Sequence, residues 1–169
     1  MKIRTPVRCN AHLSGFFLPL FSGGLVKPCI MKPEAKKRND TMYNAAVIDT
    51  DPLTLEVMTG LLGNSSHIGR ISCFSLLPDF FGELEKGWVQ IAFIRVGGPG
   101  LQGLSLAKEI MKISPGTRVV FMAGIAGYAL MAFDEGARGY LLLPPDQKRL
   151  DEVIENIRRR DHRKRGGPP

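Results

Sequence analysis

Cysteine is nearly missing from this chain. Its 169 residues contain three, Cys9, Cys29 and Cys73, an odd number with no close pair. That argues against a disulfide framework or a zinc site, and it is what a reducing cytosol permits. Histidine is as thin, since His12, His67 and His162 stand alone without the spacing of metal ligands. No unbroken apolar run reaches membrane-spanning length: the stretch Leu13 to Val26 is too short and is interrupted by Pro19, Gly23 and Gly24. Lys2, Arg4 and Arg8 precede it in the manner of a secretion signal, but no small-residue cleavage pattern follows. These absences lead us to expect a cytoplasmic protein with no membrane attachment.

Positive charge is present but displaced to the ends. The first 42 residues hold eight Lys or Arg against two acids and the last twelve hold six against one, so the formal +7 leaves residues 43–157 net acidic. Basic ends can bind nucleic acid or an anionic surface through counterion release, although such runs are usually solvated tails. The cluster Arg158 to Arg165 has no aromatic residue, so it lacks the stacking platform of single-strand binders.

Residues 1–42 are expected to lie outside the domain, as a disordered leader or a consequence of an early start codon. Met31 and Met42 are both available starts, and Met42 directly precedes the first strand. From residue 43 strands and helices alternate, the pattern of a parallel sheet covered on both faces. The strands are expected at Ala45–Ile48, Arg70–Phe74, Val89–Ile94, Arg118–Met122 and Gly139–Leu143. The helix after the first strand is capped by Asp51 or Thr50 and begins at Pro52, with an apolar stripe of Leu53, Val57 and Leu61 beside Met58 and Leu62. Further helices are expected over about 76–85, 104–113 and 127–135, and the last follows Asp146 with Leu150, Val153, Ile154 and Ile157 on one face. This predicts one α/β domain over 43–158, a doubly wound five-stranded parallel sheet, followed by a basic tail at 159–169.

Ligands of such folds sit beyond the carboxyl ends of the strands. Here those ends carry Asp49, Thr50 and Asp51, then Arg95, then Ala123 and Gly124, then Leu143 and Pro144. After the third strand, Gly98-Pro99-Gly100-Leu101-Gln102-Gly103 matches the glycine fingerprint of dinucleotide-binding folds. It follows the wrong strand for that motif, and about twenty residues later Ala123 stands where a ribose-binding acid belongs. A dinucleotide-binding enzyme is therefore the weakest of the readings, and no cofactor is expected.

Four stretches fall in order at the right spacing: Val47-Ile48-Asp49-Thr50-Asp51-Pro52-Leu53-Thr54-Leu55-Glu56, Pro99-Gly100-Leu101-Gln102-Gly103-Leu104, Tyr128-Ala129-Leu130-Met131-Ala132-Phe133 and Gly136-Ala137-Arg138-Gly139-Tyr140-Leu141-Leu142. Together they resemble the receiver domain of bacterial two-component response regulators, over residues 44 to about 157. The resemblance implies a flavodoxin-like fold in which two acids after the first strand bind magnesium and an aspartate after the third accepts a phosphoryl group. It also implies a Thr or Ser after the fourth strand and a lysine before proline after the fifth, both contacting that group. Of these Asp49 alone matches. Thr50 stands for the second acid, Arg95 for the phosphoacceptor, Ala123 for the hydroxyl residue and Leu143, before Pro144, for the lysine.

Phosphoryl transfer to a carboxylate needs the carboxylate, a cation and donors around the phosphoryl oxygens, and an arginine cannot act as acceptor. The expectation is a receiver scaffold without receiver chemistry, neither an enzyme nor a metal protein. Arg95 would pair with Asp49 or Asp51, or else point from a loop into solvent. Tyr140 matches the aromatic of the family's partner-binding face, or is an ordinary strand tyrosine. Expected partners are proteins, whether a histidine kinase, a regulator or a second copy of the chain as a homodimer. The alternative is a transcription-linked regulator that binds nucleic acid weakly through its basic ends. The stretch Tyr128 to Leu142 looks most like receivers that continue into a DNA-binding domain. With about a dozen residues left after the last helix, a stand-alone adaptor or a truncated relic is expected.

Overall fold

The computed structural model describes residues 42–97 and 106–165. The expected leader and the glycine loop lie outside the described residues, apart from Met42 and Gly97 at their borders. Five strands, β1 (Tyr43–Ile48), β2 (Ile68–Phe74), β3 (Ile91–Arg95), β4 (Arg118–Ala123) and β5 (Gly139–Leu142), form one sheet in the order β2-β1-β3-β4-β5. Every pairing is parallel. Five α-helices connect or follow them: α1 (Pro52–Asn64), α2 (Leu77–Leu84), α3 (Leu106–Ile113), α4 (Ala129–Asp134) and α5 (Gln147–Arg165).

Side chains alternate across the sheet, so each strand feeds two cores. Val47, Phe93, Met122 and Leu141 meet α1 and α5 on one face. Ile48, Ile94, Phe121 and Ala123 meet α2, α3 and α4 on the other. Burying an Ile or Phe side chain contributes about 1.5–3 kcal/mol, and β1, β3 and β4 are buried along almost their whole length. A doubly wound fold follows from that continuous apolar content.

Several elements differ from their sequence-based expectation. In α1 the buried residues are Met58 and Leu62, whereas Leu53 and Val57 are exposed. Apolar residues occur on nearly every side of this helix, so its periodicity admits two stripes. The face that turns inward also holds Thr59, whose hydroxyl donates to Leu55 O and lies 3.1 Å from Cys73 Sγ on β2. Cys73 is half-buried and packs against the core shared with α1 and α5. The expected fourth helix is split into a 3-10 turn, Ala126–Tyr128, and α4. Gly136, with φ +92°, ends α4: its N–H donates to Phe133 O and the Ala137 N–H to Ala132 O, which satisfies the last carbonyls.

The expected boundary at 158 falls inside α5, which continues to Arg165. Its far end is tied to the base of the sheet. Asp161 accepts from Tyr43 Oη at 2.9 Å and from Arg118 Nε at 3.2 Å, with Arg118 Nη2 at 2.9 Å. Arg158, Arg159, Arg160 and Arg163 are thus carried on a helix, not on a tail.

Candidate functional site

Strand order creates the site. β1 has β2 on one side and β3 on the other, so the connections leave in opposite directions and open a crevice at the carboxyl ends of β1 and β3. Ile48 lies opposite Ile94 in the register, which brings Asp49 and Arg95 out side by side. Arg95 is the last residue of β3 and not part of the following loop.

Asp49 is buried, with 2% of its side chain exposed, and each of its carboxylate oxygens has a donor. Oδ1 accepts from the Asp51 N–H at 2.9 Å and Oδ2 from Arg95 Nη1 at 3.2 Å. Of the two carboxylates considered for Arg95, Asp49 is the one it engages directly. The guanidinium also reaches Thr54 Oγ1 at 3.4 Å. Thr54 in turn donates to Asp51 Oδ2 at 2.8 Å, while Asp51 Oδ1 accepts from the Leu53 N–H at 3.1 Å and caps α1. The Thr54 hydroxyl first, then the Leu53 N–H and more distantly Arg95, hold the Asp51 carboxyl below its ordinary range. Thr54 is not among the residues to which the sequence assigns a site role; the signal for it is its place three residues after the capping aspartate, which sets its hydroxyl beside the cap.

The other strand-end residues surround this pair without adding ionic groups. Thr50 is exposed. Ala123 is buried at the end of β4, and its carbonyl accepts from the Leu143 N–H at 2.9 Å. Leu143 packs against the core shared with α1 and α5, and the peptide joining it to Pro144 is cis. Among the described residues no three His, Cys, Asp or Glu groups converge as metal ligands.

Tyr140, on β5, is half-buried against the opposite core and donates its hydroxyl to Ile125 O in the turn after β4. Burial first, and Tyr128 nearby, push its phenol above the ordinary value. That bond links β5 to a stretch with unusually exposed apolar side chains: Ile125, Tyr128, Met131 and Phe133, with Leu142 at the end of β5. Among the described residues no helix is long and apolar enough to cross a membrane.

Residues 45–155 match the family model described as "Response regulator receiver domain". The transcriptional regulatory protein BtsR of Escherichia coli K12 is 28% identical over 119 residues, which span 69% of this chain and 48% of BtsR. The transcriptional regulatory protein LytR of Staphylococcus aureus N315 is 26% identical over 114 residues, 68% of this chain and 46% of LytR. The chain spans about half the length of the curated relatives it matches. Among solved structures, a CheY-like receiver domain protein of Methanospirillum hungatei JF-1 superposes with a TM-score of 0.63 at 17% identity, covering 73% of this chain and 99% of that one. A receiver domain protein of Clostridium thermocellum gives 0.61 at 25% identity, covering 72% and 98%.

Proposed function

The chain belongs to the response regulator receiver domain family, and we propose that within it this chain acts as a signalling module that binds protein partners without accepting a phosphoryl group. One observation carries the reading: a guanidinium, at the end of β3, lies 3.2 Å from the buried carboxylate of Asp49. The Arg95 position offers no carboxylate to attack phosphorus. Magnesium does not fit these residues either, because Asp49 Oδ2 is already engaged by a fixed cation and Thr50 supplies no second acid. Ala123 and Leu143 offer neither a hydroxyl nor an ammonium to phosphoryl oxygens. The arginine instead engages Asp49 with a cation that belongs to the chain itself, in place of one that could come and go. A switch between two conformations then needs a partner that binds one of them better.

The surface available for such a partner is the apolar stretch from Ile125 to Leu142, anchored through Tyr140. Exposed apolar groups gathered in one stretch favour protein association, as contact with a second copy or a regulator. The test is incubation with acetyl phosphate and magnesium, read by intact mass. We expect no phosphoprotein from the wild type and none from Arg95→Asp, since the other groups are still missing. A phosphoprotein from either would overturn the reading.

A second reading is favoured by α5, which displays Arg159, Arg160 and Arg163 on its exposed side, and by relatives named as transcriptional regulators. In it the helix touches nucleic-acid phosphates, and affinity falls steeply with salt. Deleting 158–169 would also remove Asp161 from the sheet base. Arg159→Gln with Arg163→Gln is therefore the cleaner variant pair, and unchanged binding by that pair would end this reading.

A further inference from the structure

The end of the sheet remote from Asp49 holds a second feature. A hollow of about 100 Å³ opens at the start of β4 and β5, between the turn before β4, the turn after α4 and the face of α5. Its charged lining is Arg118, Arg138, Arg160 and Asp161, beside Gly136 and Met111. Arg118 is fixed there: it binds Asp161 through Nε and Nη2 and gives Nη1 to the Gly116 carbonyl. Arg138 and Arg160 are exposed and form no ion pair among the described residues. Three guanidiniums against one carboxylate leave two positive charges unneutralised around a concave site.

We propose that this hollow binds a compact phosphate dianion, inorganic phosphate or the phosphate end of a small metabolite, on Arg138 and Arg160 against the fixed charge of Arg118. Guanidinium forks match tetrahedral oxyanions with paired N–H donors, which a point charge cannot do. The two excess charges match a phosphate monoester, which carries about −1.5 to −2 at neutral pH. A nucleic-acid diester brings one charge per phosphate and needs a run of cations along a groove, whereas here the guanidiniums are gathered around one hollow. The site is independent of the Asp49–Arg95 crevice, because Arg118 and Gly139 begin their strands while Arg95 ends its own.

The test is calorimetric titration of the full chain with inorganic phosphate at low, chloride-matched ionic strength, with amide shifts recorded in parallel. Saturable one-to-one binding is expected, with shifts at Thr117, Arg138 and Arg160. Arg138→Gln with Arg160→Gln should weaken it at least about tenfold, as two lost charge-assisted contacts imply. Both side chains are exposed, so the variant keeps its fold, to be checked by circular dichroism, and Arg118 is left intact because it anchors α5. Arg95→Gln should leave the affinity as it was. A single-stranded oligonucleotide without terminal phosphates is the second arm. No saturation by phosphate, equal affinity in the double variant, loss of binding in Arg95→Gln, or binding of the oligonucleotide but not of phosphate would each overturn the proposal.

Discussion

Replacing Arg95 by methionine removes the guanidinium while keeping an unbranched, apolar stem at the end of β3. At the 3.2 Å separation of Nη1 and Asp49 Oδ2, two unit charges attract by about 5 kcal/mol for an effective dielectric of about 20. Most of that does not survive as stability. Burying Asp49 costs desolvation, and the Arg95 side chain is 26% exposed, so water screens its charge. A net coupling of about 1–2 kcal/mol remains. Arg95→Met should cost about 2 kcal/mol, because it leaves a buried carboxylate without its cation. In a domain of this size that lowers Tm by about 6–8 °C.

Asp49→Asn and the double variant complete a thermodynamic cycle read by urea unfolding. The double variant should be less damaged than the sum of the singles by at least about 1 kcal/mol. Additivity within about 0.3 kcal/mol would mean that the two groups behave as independent surface charges. The crevice would then be held by backbone packing and not by the contact between Arg95 and Asp49.

Three further outcomes follow from the same contacts. Gly136→Ala should destabilise by about 1–2 kcal/mol, since φ is +92° and a Cβ would stand 2.6 Å from Met111 Cε; unchanged unfolding would contradict the cap assigned to α4. Arg158, with help from Arg159, holds the Glu155 carboxyl down to about 2 against an ordinary 4.5. A depressed acid stabilises the fold above its unfolded pKa and loses that contribution as pH falls through the folded one. The Tm difference between wild type and Glu155→Gln should therefore be complete at about pH 6, shrink as pH falls and vanish only towards about pH 1; a difference that does not shrink between about pH 5 and pH 2 would refute the assignment. Asp161→Asn removes the charge that Arg118 binds, so amides in the last two turns of α5 should exchange faster. Unaltered protection would show that the helix end is held by something else.

The strand ends were legible because topology, not side-chain detail, decides them. Buried apolar runs mark β1, β3 and β4, and a doubly wound order then assigns Asp49 and Arg95 to one crevice whatever their rotamers. Helix faces were less legible. In α1 the sequence offers Leu53 and Val57 as readily as Leu55, Met58 and Leu62, and the choice is made by packing against β2, which a single helix period does not encode. The length of α5 was hidden for a similar reason. A run of arginines reads as a solvated tail until Asp161 is seen to meet Tyr43, 118 residues earlier in the chain.

The choice of Asp49 over Asp51 by Arg95 was open in the sequence but has a local cause. Asp51 precedes Pro52, whose ring presets the first helical turn, so the Asp51 side chain is committed to capping: one oxygen takes the Leu53 N–H and the other the Thr54 hydroxyl. Asp49 sits one step inside the sheet, buried, with a single backbone donor on Oδ1 and its second oxygen facing β3. An unpaired buried carboxylate oxygen costs far more than an exposed one, so the cation that emerges beside it is drawn there first. Thr54 then bridges the two, joining the cap of α1 to the end of β3. Thr54→Val should accordingly weaken the cap while leaving the Asp49–Arg95 coupling in place, because the direct 3.2 Å contact does not pass through the hydroxyl. If the coupling measured in the cycle collapsed with Thr54, the network, and not the ion pair, would be the unit that closes the crevice.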